Sequence, residues 1–191
     1  MRKVVVSEFL TLDGVVEDPS WTFQFSSEEQ PKYQFDELVA ADALLLGRVT
    51  YQGFADSWPN MMDQYEGPDG AVLQEYTDMI NGYPKHVVSK TLEEPLGWNN
   101  STLIREDVAE EVSILKRQPG KEILIFGSAD LARKLKEHGL IEDYRLMVFP
   151  IVLGSGKRLC NNGLDTTVLE LVDTNTFGSG AVVLIYRPAA E

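Results

Sequence analysis

The sequence predicts a three-layer α/β protein, with helices on both faces of a mixed, largely parallel sheet of about eight strands. Three observations predict it. Short apolar runs alternate with segments of helical periodicity. Two of those runs, 43–46 and 123–126, are apolar at every position, as strands covered on both faces are. Two β-rich runs around Gly178-Ser-Gly180 then close the chain as a hairpin, which makes the sheet mixed.

The elements follow in order. Residues 4–9 are β-rich and break at Asp13-Gly14, a strong turn dipeptide. Residues 19–25 are aromatic and irregular. Ser27 is placed to cap a helix carrying Phe35, Leu38 and Val39 on one face. Residues 43–46 form the second strand, and 56–70 read as a loop holding Trp58, Pro59 and Gly67-Pro68. Val72, Leu73, Tyr76, Met79 and Ile80 recur at helical spacing as far as Asn81-Gly82. Residues 86–88 and 101–104 are the third and fourth strands. Asp107 with Glu110 fits a capping box for a helix whose inward positions are Val108, Val112 and Leu115. Pro119-Gly120 turns the chain into the fifth strand. Residues 129–138 are helical, with Leu131 and Leu135 inward and Gly139 as the stop. Residues 144–149 form the sixth strand, and 167–174 with 181–186 form the hairpin. No repeat or linker interrupts this pattern, so 1–191 reads as a single domain.

Composition narrows the function. An apolar share of 43% supports a substantial core. The net charge, 17 − 30 = −13, argues against nucleic acid and anionic membranes as main partners. Each cation beside a glycine turn therefore carries more weight. Cys160 is the one cysteine, which excludes an internal disulfide and a cysteine-based metal cluster. It reads as a buried or partly buried thiol, and His86 and His138 as structural, so no metal site is expected. No run is long enough to span a bilayer, and residues 1–7 read as a strand rather than a leader. A cytoplasmic setting is the expectation.

Two nucleotide-binding signatures fail. Gly154-Ser-Gly156-Lys157-Arg158-Leu159 starts as a dinucleotide fingerprint, but Leu159 stands where the third small residue belongs, and Asn161-Asn-Gly163 interrupts the required helix. The same stretch fails as a P-loop, with Ile151 at the first glycine position and Arg158 at the Ser/Thr position.

Three strand-end sites remain, and together they suit one extended anionic ligand. The first is Gly47-Arg48-Val49-Thr50, where a guanidinium and a hydroxyl follow a buried strand. Its plainer reading is a surface arginine beside a capping threonine. The second is the strand end Ser89-Lys90-Thr91, suited to a ribose phosphate or an adenine edge, or simply a solvated strand end. The third is Gly127-Ser128 with Ala129, Asp130 and Leu131 opening a helix. Free N–H groups and the helix dipole make it a pyrophosphate cradle. Asp130 opposes that charge, and Ser128 or Asp130 can serve as a helix cap instead.

The segments 7–14, 46–51, 85–92, 123–131 and 139–140 resemble the dihydrofolate reductase-like superfamily. Within it, the branch most similar is the reductase domain of riboflavin biosynthesis, the RibD C-terminal domain. Gly47-Arg48-Val49-Thr50-Tyr51 and Leu124-Ile-Phe-Gly127-Ser-Ala-Asp-Leu131 are the most specific parts of a likeness running from Met1 to Tyr186. Residues 150–158 are similar to a signature of small stand-alone members. The resemblance implies NADPH lying across the carboxyl ends of the central strands. It implies that Arg48 and Thr50 hold cofactor phosphates beside Gly47, and that Ser89 and Lys90 lie near the adenosine and its 2′-phosphate. Gly127, Ser128 and Ala129 would form the pyrophosphate turn, with Asp130 and Leu131 following, and Gly14 would edge the nicotinamide. It also implies a homodimer acting on a small molecule.

The chain departs from the family by Gly127-Ser128 in place of a Gly-Gly pair, and the fused deaminase of bifunctional members is not expected here. Folate reductases place an acid at the start of the first helix, where Ser26-Ser-Glu-Glu29 offers Glu28 or Glu29. The specific expectation is an NADPH-dependent reductase of 5-amino-6-(5-phosphoribosylamino)uracil. A dihydrofolate or pterin reductase is the second reading, and a catalytically silent nucleotide-binding or oligomerisation module the third. Asp13 is the candidate acid or substrate contact, although Asp-Gly is also simply a good turn. Glu17 and Glu28 are weaker candidates. Trp21 is a candidate for stacking on a flat heterocycle, with Phe25, although such aromatics also serve as core. Lys157 is a candidate substrate-phosphate ligand with Arg158, and a subunit contact is the other reading of that pair.

Overall fold

Continuous runs of Val, Leu and Ile lay down the centre of the sheet. In the computed structural model, which describes residues 1–25, 27–65, 67, 70–160 and 166–189, the strands are β1 (Val4–Thr11), β2 (Ala41–Gly47), β3 (Lys85–Val88), β4 (Ser101–Ile104), β5 (Glu122–Phe126), β6 (Asp143–Phe149), β7 (Leu169–Thr176) and β8 (Val182–Pro188). They form one sheet in the order β4-β3-β2-β5-β1-β6-β8-β7. The first six are parallel, β8 runs antiparallel to β6, and β7 is antiparallel to β8. The expected mixed sheet with a closing hairpin is therefore present. Ser26, Pro68 and the break at Asn161-Asn-Gly163 lie outside the described residues.

The helices are α1 (Glu29–Ala40), α2 (Arg48–Ser57), α3 (Gly70–Gly82), α4 (Val108–Arg117) and α5 (Ala129–Glu137). On one face, Val4, Val6, Leu45, Ile123 and Ile125 pack against Val112 and Leu115 of α4 and Leu131 and Leu135 of α5. On the other, Val5, Leu44, Leu46 and Leu124 meet Leu38 of α1, Tyr51 of α2 and Ile80 of α3. Both faces of the central strands are buried, which is why those strands carry no polar alternation. A third cluster gathers Phe9, Trp21, Phe25, Met147, Phe149 and Phe177 beside the hairpin.

Several local expectations are corrected. Residues 56–70 are not all loop: α2 runs to Ser57, short 3-10 turns cover Trp58–Asn60 and Met62–Gln64, and Gly70 begins α3. Val39 is 43% exposed, because the inward face of α1 is set by Leu38 and Glu37. Asp107 makes no side-chain cap; its left-handed φ of 47° is not the extended conformation that a capping side chain needs. Cys160 is exposed rather than buried. The stop at Gly139 holds: its φ is +61°, Gly139 N–H donates to Lys136 and Leu140 N–H to Leu135, a Schellman motif.

The six parallel strands end on one rim. The crossover from β1 through α1 and that from β5 through α5 cover opposite faces of the sheet. Ligand crevices in open α/β sheets form at the carboxyl end of such a switch.

Candidate active site

Gly47 ends β2, Gly127 follows β5, and these strands are neighbours. The N-termini of α2 and α5 therefore meet on the rim. Ser128 locks them together. Its Oγ accepts a hydrogen bond from Gly47 N–H at 2.9 Å, and lies 3.0 Å from Thr50 Oγ1 and 3.1 Å from the Phe126 carbonyl. Ser128 was a candidate helix cap, but it makes no side-chain cap; the hydroxyl is committed across the rim instead. Gly127 and Ser128 both adopt positive φ, +55° and +62°. A Cβ on Gly127 would stand 3.3 Å from Thr50 Oγ1 and 3.8 Å from Glu8 Oε1, so only glycine fits easily here.

The turn leaves the first N–H groups of α5 without intrahelical partners. Ala129 and Leu131 point their side chains into the core, each 5% exposed, so only their backbone can serve a ligand. Asp130 does not face the cradle as a bare charge, because it is paired with Arg133 and Lys157. Lys157 is thus a salt-bridge partner of Asp130 at the head of α5.

Arg48 is exposed at the start of α2, its Nη1 donating to Gln52 Oε1 at 2.9 Å. Beside it, β3 ends at Val88, which is in register with Gly47. Ser89 is buried and its Oγ accepts from the N–H groups of Thr91 and Leu92, both at 3.1 Å, while Lys90 is exposed. Ser89 therefore shapes the turn that presents Lys90. Tyr51 fixes the following loop: its hydroxyl accepts from Trp98 N–H at 3.0 Å. The three strand-end sites lie side by side on β3, β2 and β5.

Asp13 has a different task from the acid role expected of it. Its carboxylate accepts from Thr11 Oγ1 at 2.7 Å, from the Leu153 and Gly154 amides at 3.2 and 2.9 Å, and from Arg158 at 3.3 Å. The Thr11 hydrogen bond above all, with those amides, holds its pKa well below the usual carboxylate range. A group held so firmly ionised is a poor proton donor near neutral pH. Asp13 pins residues 153–158 to the end of β1, and Arg158 serves the same pin. Glu17 joins it, accepting from Lys157 N–H at 3.1 Å. Gly14, with φ of +80°, makes the turn between them, and a Cβ there would meet nothing within 4 Å. Trp21 packs edge-on against Phe149 at 5.4 Å and Phe25 tilts against the same ring, so both serve the third cluster. Glu29 accepts from Gly178 N–H at 2.6 Å, and Glu28 is the N-cap residue of α1.

Two buried carboxyls escaped the sequence reading, although a lone acid in the apolar run Val4–Thr11 was a usable signal. Glu8 on β1 is 5% exposed, and its Oε2 has no hydrogen-bond partner. Burial pushes its pKa up to about 8. Glu37 on α1 lies across the sheet from it. Glu37 accepts from Ser7 Oγ at 2.9 Å, its Oε1 is 3.7 Å from Arg145, and burial raises its pKa to about 7. Among the described residues, no group of three or more His, Cys, Asp or Glu is arranged to hold a metal ion, and no helix is long and apolar enough to cross a membrane.

Sequence comparison agrees with this architecture. Residues 2–183 match the RibD C-terminal domain family, and the chain belongs to that family. It is 31% identical over 186 residues to the uncharacterized protein YyaP of Bacillus subtilis strain 168, covering 97% of this chain and 95% of the relative. Its fold is similar to that of a putative riboflavin biosynthesis protein from Shewanella sp. PV-4, with a TM-score of 0.74, 18% identity and full coverage of both chains. It is also similar to the riboflavin biosynthesis reductase Rib7 of Saccharomyces cerevisiae, with a TM-score of 0.61 and 18% identity, covering 98% of this chain and 90% of the other. The fold is thus dihydrofolate reductase-like.

Proposed function

We propose that the protein is an NADPH-dependent reductase of a small heterocycle, of the riboflavin-pathway type, acting on a phosphoribosylamino pyrimidine. One observation carries the reading: two helix N-termini, bound together by Ser128, open side by side on the carboxyl rim of adjacent strands. Such termini favour anionic oxygens. The residues present fit the cofactor. Gly127 puts no side chain over the backbone of the turn, where Thr50 stands close, and Asp130 is paired with Arg133 and Lys157.

In this reading the N–H groups after Gly127 and the Thr50 hydroxyl take the pyrophosphate, and Arg48 with Lys90 takes the 2′-phosphate end. Releasing Arg48 from Gln52 costs little, because an exposed hydrogen bond exchanges readily with water. The bound cofactor supplies a hydride. The chain's contribution is to position it, exclude water and hold protons near neutral pH, which the Glu37 carboxyl does beneath Ser7. The loop pinned by Asp13 lies at the carboxyl end of β1, next to Gly14.

Thermal unfolding with NADPH and NADH tests the cofactor. A ligand at about 100 times its Kd adds about 2.7 kcal/mol to the folded state. NADPH is expected to raise Tm more than NADH, and Arg48→Ala and Lys90→Ala to erase that preference. No shift with either nucleotide would sink the reading and leave a silent module. NADPH oxidation is then expected with the aminopyrimidine ribosyl phosphate; oxidation with dihydrofolate alone would favour a folate or pterin reductase.

A further inference from the structure

The mechanism above leaves Glu8 unused, yet its place is unusual. β1 alternates faces, so Glu8 shares the α4 and α5 side with Val4, Val6 and Leu10. In the middle of an apolar strand, a carboxyl is costly to bury without partners. Here Oε2 is buried and unpartnered, while Oε1 lies 3.8 Å from where a Gly127 Cβ would stand. That Cβ position is also the one 3.3 Å from Thr50 Oγ1. Glu8 therefore lies directly under the turn that joins the two helix N-termini.

Lys157 is the charge that acts on Glu8, and it is tied in turn to the loops at the β1 rim and to α5. Lys157, Glu17, Arg158 and Asp13 come from the loops at the β1 rim, and Asp130 and Arg133 from the first two turns of α5. Asp130 is paired with Arg133 and Lys157, Asp13 with Arg158, and Glu17 with the Lys157 amide, while Arg48 bonds Gln52 at the head of α2, so ionising Glu8 adds a further negative charge beneath the turn. An ionised Glu8, buried beneath the turn, would repel an anion seated on it. A neutral one would leave the helix dipoles unopposed.

We propose that Glu8 is a positioning residue that links dinucleotide binding to a proton: the cradle accepts the ligand's pyrophosphate only while the Glu8 carboxyl is neutral. This inference rests on the NADPH reading. Burial that raises the carboxyl to about 8, against the Phe9 backbone hydrogen bond and the attraction of Lys157, is consistent with a neutral group at pH 7. The ligand then binds together with that proton, and its affinity falls above the point where the free protein releases it.

The test measures NADPH affinity by fluorescence between pH 7 and 9.5 for the wild type and Glu8→Gln. The wild-type Kd is expected to rise roughly tenfold per pH unit above about pH 8. Glu8→Gln, isosteric and always neutral, is expected to lose that slope. A residue that merely supported the fold would shift Tm in the variant and leave the slope in place. Calorimetric titration of the wild type at pH 8.5, in two buffers of different ionisation enthalpy, supplies a readout independent of any variant. Proton uptake on binding supports the linkage. Wild-type affinity that stays flat with pH, a slope retained in Glu8→Gln, or binding without proton uptake overturns this inference while leaving NADPH binding intact. Failure of the wild type to bind NADPH at pH 7 removes the functional reading, and this inference with it.

Discussion

At Gly127 one backbone conformation and one missing side chain decide the shape of the rim. Its φ of +55° belongs to the left-handed region, and the space above it is taken by Thr50 Oγ1 and Glu8 Oε1. Gly127→Ala is expected to cost about 1–2 kcal/mol from the backbone alone. The 3.3 Å contact with Thr50 adds to that unless the hydroxyl moves away. Denaturant unfolding reads the loss; an unchanged midpoint would show that the turn tolerates a side chain. Ser128 bears a similar strain at +62°, and its hydroxyl offsets it by bonding Gly47 across the rim. Little of this was readable from Gly127-Ser128 as a dipeptide. A Gly turn before a helix was visible, but the partners of Ser128 lie about eighty residues away in the chain.

The element that presents the second strand-end site is held from α2. Tyr51 is 4% exposed, and its hydroxyl is the acceptor for the Trp98 N–H, whose ring packs against Tyr51 and Phe54. Lys85 reinforces the same corner: it donates to the carbonyls of Asn81, Tyr83 and Asn99 and stands 4.3 Å from the Trp98 ring centre. Tyr51→Phe leaves a buried N–H unpaired, and such a group costs about 1–3 kcal/mol. Faster amide exchange at Trp98 and a lower Tm are expected; protection equal to the wild type would show that the loop is held by packing alone. In the sequence Tyr51 stood out only as the end of a motif. Its role depends on a residue in a different connection, which periodicity within α2 does not report.

Across the whole molecule, the two faces of the sheet each bury a carboxyl near the rim, and both titrate in the same sense. Glu8 and Glu37 rise from 4.5 to about 8 and about 7 in the folded protein. The folded state therefore binds more protons than the unfolded chain between pH 4.5 and those values. Their contribution to stability is complete below pH 4.5 and is lost as pH rises through 7 and 8. The ligand-free protein is expected to lose stability from pH 5 to 8, by at most about 1.4 kcal/mol per pH unit for each carboxyl. Glu37→Gln removes the part that ends near 7 and leaves the part that ends near 8. Urea unfolding across this range checks it, and stability that rises over the interval would contradict the assignment.

Much of the architecture lay in the chain itself. The doubly apolar runs marked central strands, Gly139 marked a helix end, and the polar residues at three strand ends marked the rim proposed for an anionic ligand, because these signals depend on neighbours within a few residues. What only the tertiary structure decided was which polar groups remain available. Parallel pairing brings Ser7 beside Phe126 and Arg145, and puts β2 beside β5 although three helices and two strands separate them in sequence. That register turned Asp13 from a candidate acid into a loop pin, drew Ser128 away from capping, and placed Glu8 under the turn. Burial and long-range pairing set a carboxyl's charge state, and neither is a property of the residues beside it in the chain.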